Sequence, residues 1–433
     1  MSEREHVTNV SRRDVLKSFG LASVAAAPLL SGLPGKAVAS TAKNLAGWSR
    51  PVSIGVLVPQ SSLYPSPAES FMKGMQLRLD AINREFGAGS VSLIIEETSR
   101  GVGRTIDASR RLLEQHRADL VVGVMNPRAI DCVRDTFESS RTPFIVASTG
   151  ECMPLAADAS PYIFHCTLNQ WQAHMAMGTW TATNGGRRVA VITSLHDSGY
   201  DSLPAFRRGL EEGGGDIIST HVIGLQDRFL TIGDVLAEIE SSRPDAVYAL
   251  FSDVTVEDLV RAYSGSGLAG NVPLLGSGIM MEQHLLANCG RHAHGIMSCF
   301  PWSEQLQTPE NIQFMTAYQQ AAGRPADSYA LLGYDTASLV AESLAASRGD
   351  AGNARFLRAL REASFTSPRG RISMDPGTQS MVTPLYLRRS ECSGRGITNT
   401  VVTELPKIKE TSARKLMAAH GRTGVWLNSY MMV

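Results

Sequence analysis

The sequence lacks any excess of charge. Its 433 residues carry 41 Lys plus Arg and 41 Asp plus Glu. Nucleic acids and anionic membrane surfaces are recognised by clustered positive charge, so neither is an expected partner. Long apolar runs are missing too. The segment 19–33 is only modestly apolar and is interrupted by Pro28 and Gly32, whereas about 20 apolar residues are needed to span a bilayer. Catalytic signatures are equally scarce. No G-x-S-x-G nucleophile elbow and no Walker A sequence occurs. One G-x-G-x-x-G exists, at Gly265, Gly267 and Gly270. It follows a helical pattern and precedes an apolar run, the reverse of a dinucleotide fingerprint, and reads as a helix C-terminal turn. His196, Asp197 and Ser198 are adjacent, but a catalytic relay needs a geometry that adjacency does not provide. Enzyme activity is not expected.

What is present is ordinary globular composition, 43% hydrophobic and 19% charged, at a length that suits two or three domains. Residues 1–39 read as an address rather than as structure. Ser11-Arg12-Arg13-Asp14-Val15-Leu16-Lys17 is similar to the twin-arginine export motif, and Ala37-Val38-Ala39 offers small residues to a signal peptidase. The mature protein is expected to begin near Ser40, soluble and nearly neutral in the periplasm, with the twin-arginine machinery as an export partner. No cysteine precedes Cys132, which argues against a lipoprotein anchor.

Residues 52–58 form a nearly continuous apolar run, the pattern of a strand covered on both faces. A Ser- and Pro-rich loop over 59–67 follows, with Tyr64 at its middle. Phe71, Met75, Leu79, Ile82 and Phe86 then recur at helical spacing. The unit repeats. Strands are predicted at 91–96, 120–125 and 144–147, separated by a helix marked by Ile106, Ser109, Leu112 and Leu113 and by one opening at Pro127. A second series starts near residue 167. It comprises helices over 170–183 and 204–212, strands at 189–193, 216–223, 246–251 and 272–275, and clean helical stripes at Ile232, Val235, Leu236 and Ile239 and at Val256, Leu259, Val260 and Tyr263. A strand at 295–300, helices over 311–322, 327–346 and 354–362, and a hairpin of 383–387 with 398–404 complete the pattern. Two runs of alternating strands and helices predict an α/β fold of two doubly wound parallel-sheet lobes. Ligands of such sheets sit beyond the carboxyl ends of the strands.

The run IGVLVP, the Ser-rich loop with Tyr64 and the helix KGMQLRLDAIN resemble, in that order and spacing, the start of the type I solute-binding proteins. These are the branched-chain amino acid and amide or urea binding components of bacterial ABC importers. The resemblance runs in register from about residue 51 to residue 406; the tail 407–433 matches nothing. It implies a periplasmic protein that captures a small polar solute between two lobes and delivers it to a membrane permease, without a cofactor. It implies that 51–167 with 302–382 form the first lobe and 168–301 with 383–406 the second, and that three crossing strands form the hinge. Carried over position by position, the ligand residues are Tyr64, Met125, Asn126, Thr149 and Glu151 in the first lobe and Tyr200, Ser252, Asp253 and Gly278 in the second. Hydroxyls and amides suit a small polar ligand, because a desolvated polar atom must be hydrogen-bonded.

Two departures bear on the ligand. The family usually supplies an acid where this sequence has Gly278, and a serine where it has Asn126-Pro127. Both anchors of an α-amino acid zwitterion are then altered, although Asp253 or Glu151 could supply the negative charge. The terminal hairpin looks more like the amide and urea branch, which tilts the expectation toward a neutral amide-like ligand. Alternatives are a sensory protein of the same fold and a periplasmic hydrolase. Six cysteines in an exported chain invite pairing: Cys289 with Cys299, or Cys152 with Cys166. Free thiols are equally open, and Cys289, His292, His294 and Cys299 could instead hold a metal. Cys132 is expected to be plain core.

Overall fold

A computed structural model of the chain describes residue 48 and residues 50–408, apart from 60–66, 88, 99–101, 125–126, 151–159, 196, 200, 225–230, 253–254 and 395. In chain order, β1 (Val52–Pro59) leads to α1 (Pro67–Phe86), β2 (Val91–Thr98), α2 (Val102–Arg110) with a π-helical turn (Arg111–Gln115), β3 (Leu120–Val124), α3 (Pro127–Ser140), β4 (Phe144–Ser148) and β5 (Ile163–Thr167). These strands are parallel and ordered β5-β4-β3-β1-β2.

The chain then enters a second sheet through α4 (Gln170–Thr183), followed by β6 (Arg188–Ser194), α5 (Ser202–Glu212), β7 (Asp216–Ile223), α6 (Ile232–Ser241), β8 (Ala246–Leu250), α7 (Thr255–Ser264), β9 (Leu274–Gly276), α8 (Gln283–Cys289) and β10 (Met297–Phe300). It returns to the first lobe with α9 (Pro309–Ala322), α10 (Ser328–Ser347), α11 (Ala354–Arg361), β11 (Ser364–Ser367), β12 (Gly370–Asp375) and β13 (Ser380–Val382). The hairpin β14 (Leu385–Ser393) and β15 (Gly396–Leu405) then extends the second sheet beside β10. The result is the two-lobed α/β architecture that the alternation predicts.

Each sheet is covered on both faces, and this is why β1 reads as an unbroken apolar run. Ile54, Val56 and Val58 join one core with the α1 stripe Phe71, Met75, Leu79 and Ile82, while Leu57 points into the core beneath α2 and α3. The major helix pairs approach through glycine. A Cβ at Gly74 would run into the Ala330 carbonyl and one at Gly333 into that of Phe71, so α1 and α10 cross at backbone contact. Gly178 and Gly209 do the same for α4 and α5. Among the described residues no helix is long and apolar enough to cross a membrane.

Three segments pass between the sheets: β5 to α4, β10 to α9, and β13 to β14. Side chains fasten them. Asn169 donates to the Met381 carbonyl (2.8 Å), Thr383 donates to Asn169 (3.3 Å), and Ser303 donates to the Asn399 carbonyl (3.0 Å). Arg369 is fully buried, pairs with Asp335 at 2.7 Å and donates to the Thr167 carbonyl (3.0 Å), while Tyr386 donates to the Arg369 carbonyl.

Several expectations are corrected. Cys289 and Cys299 are both free and belong to different cores on opposite faces of the second sheet, so they cannot bridge. His292 pairs with Ser264 (2.7 Å) and His294 accepts from the Cys392 backbone N–H (3.3 Å); the four proposed metal ligands do not converge, and no metal-binding cluster occurs among the described residues. Cys166 is free and buried, and Cys152 lies outside the described residues. Cys132 is exposed rather than core, because Ala129, Val133 and Phe137 form the inward stripe of α3 and Cys132 falls off it. Strands β11 to β13 and helix α8 were not predicted.

Candidate functional site

Of the nine sequence-predicted ligand residues, Thr149, Ser252 and Gly278 are described. Tyr64, Met125, Asn126, Glu151, Tyr200 and Asp253 lie outside the described residues. The three share no hydrogen bond with one another among the described residues, and each is held by its own surroundings.

Thr149 follows β4. Its carbonyl accepts from the Gln170 backbone N–H (3.1 Å), and the Gly150 carbonyl accepts from Trp171 (2.8 Å). The first turn of α4 would otherwise present these N–H groups unpaired, so a first-lobe loop caps a second-lobe helix. Gly150 has φ 74°, and a Cβ there would meet Thr167 Oγ1 at 2.8 Å. Only glycine fits so close to the crossing.

Ser252 follows β8 and donates to Asp197 Oδ1 at 2.7 Å. Ser194, the last residue of β6, donates to Asp197 Oδ2 at 2.6 Å and accepts from the Asp197 backbone N–H at 2.9 Å. Strands β6 and β8 are neighbours, so their carboxyl ends together hold a buried carboxylate by both oxygens. Such charge-assisted bonds are the stronger kind. They fix the short 3₁₀ turn Asp197–Gly199 at the mouth of the second sheet. Asp197 and Ser194 were not singled out as ligand-site residues, although both follow the second lobe's first apolar run.

Gly278, beyond β9, is buried. Its carbonyl accepts from Arg388 Nη2 (3.0 Å), and a Cβ would overlap the Phe300 ring and meet the Cys299 carbonyl at 2.8 Å. No acidic side chain fits there in this backbone arrangement.

Around Gly278 lies a polar junction that sequence reasoning missed. Arg388 is fully buried, donates also to the Trp302 carbonyl (3.2 Å) and Ser298 Oγ (3.4 Å), and stacks 4.6 Å over the Phe300 ring. Two carboxylates face this guanidinium: Glu282, just before α8, and Glu304, on the crossing to α9. Burial, then the like charge of Glu304, pushes the Glu282 carboxyl up to about 8, against the pull of Arg388. Burial also raises the Glu304 carboxyl. No spacing motif flags this group, because Arg388 shares its strand with exposed Arg389 and is buried by residues distant in sequence, Gly278, Ser298, Phe300 and Trp302.

A family profile described as periplasmic binding protein matches residues 51–395. The chain is 25% identical over 356 residues to a Leu/Ile/Val-binding protein homolog 6 of Brucella suis biovar 1 (strain 1330), covering 79% of this chain and 88% of that one. Among solved structures, an ABC transporter substrate-binding protein from Sphaerobacter thermophilus superposes with TM-score 0.76 at 29% identity, over 82% of this chain and 98% of that one. A Rhodopseudomonas palustris BisB5 solute-binding protein in complex with 3,4-dihydroxy benzoic acid gives 0.71 at 23% identity, over 84% and 99%. The closed leucine-, isoleucine-, valine-, threonine- and alanine-binding protein of Brucella ovis gives 0.70 at 15%, over 82% and 95%. With its two parallel-dominated sheets and three crossings, this chain belongs to the periplasmic binding protein family, in its type I form.

Proposed function

We propose that this protein captures a small polar solute in the cleft between its lobes and hands it to the permease of an ABC importer, without altering it chemically. The observation that carries the reading is the serine-clamped carboxylate Asp197 at the carboxyl ends of β6 and β8, the place where α/β sheets take ligands. In this reading Thr149, Ser252, Tyr64, Met125, Asn126, Glu151, Tyr200 and Asp253 contribute polar contacts, while Gly278 shapes the floor through Phe300 and Arg388.

The ligand we favour is a neutral amide or urea. Its support is the filled space at Gly278, which leaves no carboxylate at the family's usual ammonium site. An amino acid remains the alternative if Glu151 or Asp253 supplies the charge. Calorimetry with urea and short amides, with leucine and valine, and with benzoate and 4-hydroxybenzoate separates these classes. Tight binding of an amide alone supports the preference. Binding of leucine that disappears in the Glu151→Ala, Asp253→Ala double variant overturns the amide preference but keeps solute capture. Turnover of an amide would overturn the binding-protein reading in favour of a hydrolase. Export by the twin-arginine route predicts that an Arg12→Lys, Arg13→Lys precursor stays in the cytoplasm; normal periplasmic appearance contradicts it.

A further inference from the structure

We propose that the hinge carries a proton-operated latch: a proton held between Glu282 and Glu304, beside buried Arg388, keeps α8 of the second lobe against the first turn of α10 in the first lobe, and its loss favours parting of the lobes. This rests on reading the two lobes as hinged about the crossing segments.

Three chain segments meet here. Glu282 belongs to the second lobe and is 3% exposed; Glu304 sits on the crossing, half-buried, with one carboxylate oxygen sealed from water; Ser328 opens α10 and is fully buried. Glu282 Oε1 and Glu304 Oε2 accept no hydrogen bond, and the Ser328 hydroxyl, beside Glu282, only weakly offsets the burial of that carboxyl. Arg388 donates to two carbonyls and a hydroxyl, so neither carboxylate takes its hydrogen bonds. A buried and a half-buried carboxylate beside one cation leave a net negative charge in a poorly solvated place, and the inexpensive remedy is to keep one proton. A protonated carboxyl is also a donor, which the two sealed carboxylate oxygens otherwise lack beyond the Ser328 hydroxyl.

The remaining charged neighbours leave that balance in place. Asp327, the N-cap of α10, adds negative charge facing Glu282, but its oxygens are occupied by the Ala330 backbone N–H (2.8 Å), Ser70 (2.6 Å) and Arg324 (3.2 Å). Arg324 also donates to Ser70 and lies 5.7 Å over the Tyr318 ring. His284, on the first turn of α8, is exposed as a residue, but burial of its ring lowers its imidazole and it adds no charge over this range; Glu69 on α1 faces Tyr318, and Glu257 and Arg261 act at the other end of α8, near Cys289. On the β15 side Asn399 is neutral and donates to the Met281 carbonyl (2.6 Å).

Separating α8 from α10 would hydrate Glu282 and return it toward ordinary carboxylate behaviour. The joined form therefore binds the proton more tightly, and raising pH shifts the balance toward the parted form. The test is small-angle X-ray scattering of the ligand-free protein from pH 5.5 to pH 9.5. The radius of gyration is expected to rise with pH above the ordinary carboxylate range, as the raised Glu282 carboxyl gives up its proton. Glu282→Gln, neutral at every pH, should hold the low-pH value throughout. Glu304→Gln removes the repelling neighbour and should move the midpoint down by about one pH unit or more. A wild-type radius that does not change with pH, or a Glu282→Gln protein with the same transition, overturns the proposal. Should Glu282→Gln fail to fold, an unmoved midpoint in Glu304→Gln overturns it equally. Calorimetry of solute binding at fixed pH tests the capture reading by itself, so loss of the latch would leave that reading standing.

Discussion

At the residue scale, Gly278 shows how one missing side chain can report on both packing and ligand. Its place beneath Phe300 is filled and its carbonyl is committed to Arg388. Gly278→Asp should cost about 1–3 kcal/mol from overpacking, with a further penalty for an unpaired buried carboxylate. Chemical denaturation checks the loss. A variant of unchanged stability that gains affinity for leucine would instead mean that position 278 faces the solute. The buried Arg369–Asp335 pair is a second residue-scale test, since removing one partner of such a pair typically costs about 3–5 kcal/mol. Asp335→Ala is expected to show that loss; a change below about 1 kcal/mol would show that Ser367, Thr167 and water can satisfy the guanidinium.

At the scale of elements, each lobe rests on one helix pair brought to backbone contact by glycine. Gly333→Ala should weaken the α1–α10 crossing and Gly209→Ala the α4–α5 crossing, because the added methyl meets a carbonyl that cannot move without its helix. A drop in melting temperature of several degrees is expected for either, and unchanged melting would mean that the helices separate without cost. Long buried elements were legible in the sequence for a related reason. The stripe Ile232, Val235, Leu236 and Ile239 lies on α6 as predicted, and α4 covers the predicted span. Short elements were not. Helix α8 offers only Leu286 and Cys289 as buried positions, too few for a period, and β11 to β13 are strands of four, six and three residues, SFTS, GRISMD and SMV, too short to show an alternation and placed by pairing outward from β5. The hairpin runs longer than predicted because Arg388, Ser390 and Asn399 are polar yet buried, satisfied by carbonyls of the turns around α8 and of the crossing. Site residues fared similarly. Ser252 was placed correctly at a strand end, but its partner Asp197 emerged only from three-dimensional proximity.

For the whole molecule, buried ionisable groups set a pH profile whose two limbs have opposite causes. His174 lies in the core of the second lobe, where burial pushes its imidazole down to about 3 and its Nδ1 pairs with the Tyr248 hydroxyl at 2.6 Å. The unfolded chain holds a proton on it below 6.5 that the folded chain refuses, so stability rises with pH from about 3 to 6.5. Glu282 works the other way. Its folded form keeps a proton up to about 8 that the unfolded chain loses near 4.5, so stability falls across that interval. Each fully titrating group changes stability by at most about 1.4 kcal/mol per pH unit. Between 4.5 and 6.5 the two slopes oppose one another, and beyond 6.5 only the fall remains. The carboxyls of Glu304 and Asp335 are also raised by burial, so each adds a loss of stability as pH rises above its ordinary value. Denaturant titrations between pH 3 and pH 9 are therefore expected to give a maximum on the mildly acidic side. Glu282→Gln should flatten the alkaline limb and leave the acid limb intact, and His174→Gln should do the reverse. A stability maximum above pH 8, or an alkaline limb unchanged in Glu282→Gln, would show that Glu282 is ionised in the folded protein and that Arg388 outweighs its burial.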